Sequence, residues 1–276
     1  MIPEKGNPGV HITAAAVCDG FRAAGAQPCD TVLYHGSLSS MGTVEGGPVT
    51  VIDGVLEAVG PEGTVAMPTL WYHDAELPMN PEDFDVETSS SYVGALSEAF
   101  RGDPRSVRSN HFSHSVSAIG ARAVELTADH GAGGLYHTPW SPKAFADVSP
   151  WGRLYEWNAL YCFIGVTLRV CTMKHYVEAR MVAEYLAHAP ESARSGLKEQ
   201  LSAMGHAGVW PYFDSQKLGE ELEAEGAMGL AKIGSATLRA VRTRTLVDEA
   251  FKRLRAEPKT WFNEAFMAWR EACLSG

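Results

Sequence analysis

The chain is short of the features that direct a protein to membranes, to nucleic acid or to a cross-linked secreted class. No apolar run nears the ~20 residues needed to span a bilayer. The opening MIPEKGNPGV has neither the basic nor the apolar region of a signal peptide. Together these make a cytoplasmic protein the expectation. Basic residues are outnumbered, 23 Lys and Arg against 33 Asp and Glu, for a net charge of −10. That argues against nucleic acid, since phosphate binding needs a basic surface. It suits solubility and is compatible with a cationic substrate. The five cysteines, Cys18, Cys29, Cys162, Cys171 and Cys273, are odd in number and form no C-x-x-C pair, so free thiols in a reducing compartment are expected. No repeat or low-complexity tract breaks the 276 residues, which are read as one domain over 1–276.

What is present is an alternation of helix and strand patterns. Residues 13–25 read as an amphipathic helix capped by Thr13, and TVLYH (31–35) as a buried strand. A helix follows over 48–60, opened by Pro48 and closed by Gly60, then a strand over 64–68. Further helices are predicted over 91–102, 121–130, 171–189 and 217–226, and strands over 115–120, 160–166 and 236–243. TLVDEAFKRLRAEP is expected to close the chain as a helix. Such alternation implies an α/β fold, expected as a three-layer α/β/α sandwich with a central, mostly parallel sheet. Ligands of such sheets bind beyond the carboxyl ends of strands. The loops starting at His35, Pro68 and Thr167 all follow strands.

Three stretches carry chemistry. HGSLSSMG (35–42) offers accessible backbone N–H groups and the hydroxyls of Ser37, Ser39 and Ser40, a composition suited to a phosphate. It is neither G-x-x-x-x-G-K-[ST] nor G-x-G-x-x-G, and it also fits an ordinary strand-to-helix turn. In CTMKHYVEAR, His175 and Glu178 stand three apart on a predicted helix and share a face. A histidine is the natural general base near pH 7, and a carboxylate can orient it. A surface helix pair would look the same. In NHFSHSVSAIG, His111 and His114 could join His73, Asp74 or Glu178 around zinc, but H-x-x-H is not H-E-x-x-H. A hydrogen-bonding role toward a ligand is the reading preferred, and no metal is expected. Cys171 or Ser39 as a covalent nucleophile lacks a supporting motif.

In this order the stretches resemble the aminoglycoside 3-N-acetyltransferase family, which has the antibiotic N-acetyltransferase fold and is distinct from the larger GNAT superfamily. The resemblance rests on HGSLSSMG at 35–42, GG at 46–47, GPEGTVAMPT at 60–69, RSNHFSHSVSAIG at 108–120 and SPWGRLYE at 149–156. It continues through YCFIGV at 161–166, TMKHYVE at 172–178 and GSATLRAVRTRTLVD at 234–248. The resemblance implies acetyl transfer from acetyl-CoA to a primary amine, foremost the 3-amino group of an aminoglycoside, by direct attack in a ternary complex. His175 would be the base and Glu178 its partner. The donor acyl-CoA would be held by His35, Ser37, Leu38, Ser39, Ser40, Met41 and Gly42, with Pro68, Thr69, His114 and Ser115. For the acceptor, Tyr72, Asp74, His111, Asp147 and Arg169 are proposed. Departures from the pattern at Gly36 and at His111-Phe112-Ser113 keep two other readings open. One is a biosynthetic N-acyltransferase acting on another amine such as an aminophosphonate. The other is a protein that sequesters a ligand without reacting. Neither nucleic acid nor membrane is an expected partner, and the oligomeric state is open, a homodimer being one option.

Overall fold

The computed structural model describes residues 4–71, 80–201 and 209–275. Strand β1 (His11–Ile12) leads into helix α1 (Ala14–Ala23), then β2 (Thr31–Gly36), the single-turn α2 (Leu38–Met41) and β3 (Thr43–Val44). Next come α3 (Pro48–Val59), β4 (Thr64–Pro68), α4 (Ala95–Arg101), β5 (Val107–Arg108), β6 (Val116–Gly120) and α5 (Ala123–Thr127). The second half runs α6 (Pro150–Glu156), β7 (Leu160–Ile164), α7 (Lys174–His188), α8 (Glu191–Leu201), α9 (Ser215–Ala224), β8 (Gly229–Ile233) and β9 (Ala236–Arg242). It finishes with α10 (Thr243–Ala256), α11 (Pro258–Trp261) and α12 (Glu264–Leu274).

Local chemistry sets many of these limits. Thr13 caps α1 by accepting from the Ala16 N–H, and Pro48 opens α3, which ends on Gly60 in a positive-φ conformation. The helix expected over 91–102 starts only at Ala95. Ser91 is bridged to Trp71 instead, and Gly94 enters the helix at φ 119°. The chain does not close with the helix that begins near Thr243. Pro258 interrupts it and starts α11, after which Asn263 caps α12.

Seven strands form one sheet in the order β5-β6-β4-β2-β7-β9-β8. The sheet is mixed, which corrects the expectation of a mostly parallel one. β4, β2 and β7 run parallel in the middle, while β6 with β5, and β9 with β8, are antiparallel at the two edges. Connection length gives the reason for the two outermost pairs, whereas the β4–β6 and β7–β9 pairings follow long connections that permit either direction. β8 and β9 are joined through Gly234 and Ser235 alone, and β5 and β6 by one short loop. Such links reach only an antiparallel neighbour, since a parallel one needs a crossover.

The three-layer α/β/α arrangement is as expected. Alternation along β2 sends Val32 and Tyr34 to one face, where they pack with Val17, Phe21, Val55 and Phe100 of α1, α3 and α4. Leu33 goes to the other face, with Tyr161, Phe163, Trp151, Val177, Val182 and Val247 under α6, α7 and α10. His35 follows Leu33 onto this second face, at the strand's carboxyl end. Among the described residues no helix is long and apolar enough to cross a membrane.

Candidate active site

The parallel register pairs His35 with Phe163 and Gly36 with Ile164, so β2 and β7 end side by side. Past β2 the chain turns into α2, and past β7 it passes through a 3-10 turn over Leu168–Val170 into α7. Between them opens a cleft of about 650 Å³, with His35, His114, Trp140, Thr172, Lys174 and His175 among its walls. This is the crevice expected beyond the carboxyl ends of parallel strands.

His175 and Glu178, one turn apart on α7, are joined in the cleft wall. Glu178 is wholly buried, and the His175 side chain is 16% exposed, so the imidazole reaches the cleft while the carboxylate stands behind it. His175 Nδ1 donates to Glu178 Oε2 at 2.7 Å, and the same oxygen accepts from Trp210 Nε1 at 2.8 Å. Two donors on one oxygen fix the carboxylate. The carboxylate in turn fixes the tautomer, leaving the lone pair of Nε2 for a substrate. The ring sits against Trp140, with centroids 4.5 Å apart. Trp210 carries no signal in the sequence, since nothing in its spacing ties it to α7.

A second group of imidazoles runs from His114 in the cleft wall to His111 and His130 behind it. His114 lies 5.9 Å from His175 ring to ring and is packed against Trp140 and Phe145. Burial, reinforced by His175, holds it well below the usual histidine range. Its Nδ1 meets Ser113 Oγ at 2.9 Å. His111 Nδ1 accepts the backbone N–H groups of His114 and Ser113, which puts its hydrogen on Nε2. Burial pushes His111 down to about 2 and His130, stacked on it at 4.6 Å, down to about 4. These rings are neutral structural members at pH 7. Among the described residues no group of three or more His, Cys, Asp or Glu is placed to hold a metal ion.

The HGSLSSMG loop borders a second cavity of about 760 Å³. Ser37 N–H bonds Ile164 O, and Ser40 Oγ donates to Ser37 O, so the loop is folded onto the end of β7. Gly165, at φ 63°, passes so close to Ser40 that a Cβ there would meet the Ser40 side chain. The N-terminal segment lies over the loop, with Gly6 N–H on Ser39 O. Lys5, Arg169, Lys232 and Arg239 line this cavity, with Glu4 the one carboxylate among its described lining residues. Arg169, Val166 and Val170 border both cavities and join them.

The structure therefore brings His35, His114, Arg169 and His175 to one cleft, backed by Glu178. Ser37 and Ser39 stand at the start of α2 with their hydroxyls 3.3 Å apart, Ser40 borders the second cavity, and Leu38 packs partly on the core. It does not bring the other proposed residues to the cleft. The Met41 side chain is fully buried in the core, and Gly42 is pressed against the backbone of Val10. Pro68 is the buried last residue of β4, paired with Val116 of β6. Thr69 and Ser115 are wholly buried and bonded to each other and to Arg108, whose guanidinium burial pushes down to about 10. His111 is behind the wall. Asp147 faces a separate groove, accepting from Tyr136. Tyr72 and Asp74 lie outside the described residues. Trp71, Tyr92 and Ser113 line the cleft without having been proposed.

A buried carboxylate orienting an imidazole at a cleft is the equipment of an enzyme that takes a proton from its substrate. The family model for aminoglycoside 3-N-acetyltransferase matches residues 33–255, and the chain belongs to this family of acyl-CoA-dependent N-acyltransferases. It is similar to aminoglycoside N(3)-acetyltransferase VIII of Streptomyces fradiae, 32% identical over 228 residues that cover 77% of this chain and 73% of the relative. Aminoglycoside N(3)-acetyltransferase VII of Streptomyces paromomycinus is 28% identical over 273 residues, covering 86% and 89%. Among solved structures, AAC-IIIb in a binary complex with CoASH shares the fold, with a TM-score of 0.67 at 21% identity over 92% of this chain and 98% of the other.

Proposed function

We propose that the protein transfers the acetyl group of acetyl-CoA to the 3-amino group of an aminoglycoside, with His175 as general base. The observation that carries the reading is the position of the His175–Glu178 dyad, in a cleft that opens into a cation-lined cavity. The second cavity fits the donor. Its cations match the phosphates of coenzyme A, and the backbone and hydroxyls of 37–40 supply further hydrogen bonds. The pantetheine arm would then run past Arg169 into the first cavity. A cytoplasmic location goes with this reading, because the donor is an intracellular metabolite and the five cysteines are free.

The chemistry follows from the dyad. An alkylammonium, with a pKa near ~10, sheds one proton before it can attack and a second as the new C–N bond forms. His175 Nε2 is placed to accept each in turn, and Glu178 stabilises the imidazolium. The first proton passes to solvent. The amine nitrogen bonds to the thioester carbon, the carbonyl π pair moves to oxygen, and its return breaks the C–S bond. The second proton then leaves His175 for the thiolate, so amine and thioester become amide and thiol. Attack is direct. The Cys171 thiol at the cleft is pushed up to about 12 by burial and stays protonated, and His114 is too weak a base to activate Ser113.

The test is thiol release from acetyl-CoA with aminoglycosides and with aminoalkylphosphonates as acceptors. Turnover confined to the phosphonates would overturn the acceptor assignment. Arg169→Ala is expected to raise KM for acetyl-CoA by about 10- to 100-fold, the loss of a charge-assisted hydrogen bond. A rise in the acceptor's KM alone would return Arg169 to the acceptor side.

A further inference from the structure

The donors that stabilise the negative oxygen of the intermediate are not identified by the dyad, and the hydrogen bonds around His35 single one out. His35 stands at the end of β2, partly exposed at the cleft, its ring stacked on Phe163 at 5.8 Å and 14°. Its Nε2 is 2.7 Å from Tyr161 Oη. That hydroxyl already accepts the Thr172 N–H at 3.1 Å. Burial holds the Tyr161 phenol well above its ordinary range, so it keeps a hydrogen, and His35 Nε2 is its nearest acceptor. An Nε2 that accepts leaves the imidazole hydrogen on Nδ1. Among the described residues Nδ1 makes no hydrogen bond, and the other hydrogen-bond partner of the ring is Thr172 Oγ1, 3.5 Å from Nε2. Nδ1 is therefore the ring nitrogen left for a ligand. Thr172 also sets the distance to the base, because its carbonyl accepts the His175 N–H at the start of α7. Tyr161 thus anchors both the His35 ring and the turn that carries the base.

We propose that His35 is a catalytic residue whose Nδ1–H donates to the thioester carbonyl oxygen and stabilises the oxyanion formed on amine attack, with Tyr161 as the positioning residue that fixes its tautomer. The assignment rests on the acyl-transfer reading above. A neutral imidazole suits the task, since it polarises a carbonyl without giving up its proton. Burial pushes His35 down to about 3, so it is neutral over the working range. The electron pair that leaves the C=O bond on attack returns when sulfur departs, and the Nδ1 proton stays on His35 throughout.

Two substitutions separate this role from a packing role. The side-chain amide of His35→Asn overlays Nδ1, and that of His35→Gln overlays Nε2. The measurements are kcat and the isotope-edited infrared band of acetyl-CoA labelled at the carbonyl carbon, bound to the intact protein, with calorimetry to establish binding. The bound band is expected at lower wavenumber than the free one. The shift should persist in His35→Asn and vanish in His35→Gln and His35→Ala. kcat is expected to fall about 100- to 1,000-fold in His35→Ala and about tenfold or less in His35→Asn. Tyr161→Phe should broaden the band as the tautomer is freed. Retention of shift and rate by His35→Gln, with loss in His35→Asn, would show that His35 serves only to satisfy Tyr161 and would overturn the proposal. So would an unshifted band in the unaltered protein. Failure of acetyl-CoA to bind at all would remove the acyl-transfer reading itself, a distinct outcome that calorimetry reports directly.

Discussion

His175→Ala is expected to lower kcat by about 100- to 10,000-fold at pH 7, the range over which a positioned general base acts. KM for acetyl-CoA should hold, since the donor is assigned to the neighbouring cavity. The deficit should also depend on pH in a definite direction. The acceptor amine is almost wholly protonated at pH 7, and its free fraction grows about tenfold per pH unit until the pH nears ~10. The variant has lost the group that removes the first proton, so its rate should climb with pH and the gap to the unaltered enzyme should narrow. A pH profile of kcat over KM for the acceptor reads this out. A variant with unchanged rate, or with a deficit that widens as the pH rises, would remove His175 from the base role.

Glu178 contributes through orientation and charge. Its Oε2 serves both Trp210 and His175, and Oε1 has no partner among the described residues. In Glu178→Gln the atom at Oε2 must be the amide oxygen, since an NH₂ there would face two donors. The tautomer of His175 is thereby kept while the countercharge to the imidazolium is lost. Orientation and charge can therefore be separated by comparing Gln with Ala at this position.

The dyad was legible in the sequence because one helix carries both residues, and i, i+3 spacing becomes contact without tertiary information. The carboxyl-end location of the site was legible for a similar reason, as strand patterns ended just before His35 and Thr167. Contacts that join distant segments were not. Trp210 reaches Glu178 across 32 positions, and Tyr161 reaches His35 across 126. The motif at 35–42 does border the two cavities, through His35, Gly36 and Ser40, but its letters do not say which atoms face them. Helix α2 turns once per few residues, so Met41 points inward while Ser37 and Ser39 point out. Thr69 and Ser115 show the same limit, because a hydroxyl beside a site and a hydroxyl holding two strands together leave the same letters in a motif. Strand direction was missed at the edges for want of connection geometry: a period of two marks a strand and is silent on which way it runs.

Stability is expected to fall steeply between pH 6.5 and 5, before the carboxylates titrate. Four histidines carry the effect: His35, His111, His114 and His130, all held below their ordinary range by burial. In the unfolded chain each titrates near ~6.5. Below that pH the unfolded state takes up protons that the folded state refuses, so stability present above pH 6.5 is lost as the pH falls. Each such histidine costs about 1.4 kcal/mol per pH unit, and the four together about 5.5 kcal/mol per unit. A domain stable by about 5–15 kcal/mol is brought near its limit within one to three units. The Arg-paired carboxylates behave differently. Glu98 beside Arg101 and Asp103 beside Arg105 are held below their ordinary values of 4.5 and 3.8, so their contribution is intact above that range and is lost only as the pH drops further. The two windows are separable by thermal melts at half-unit steps from pH 7.5 to 4. Replacing His130, which bonds Ser109 Oγ and Ala144 O, by Gln should lower the melting temperature at pH 7.5 yet flatten its slope below pH 6.5 by about a quarter. A melting temperature level from pH 7.5 to 5 would mean that the cluster accepts protons while folded, and the neutral, structural role given to these rings would not stand.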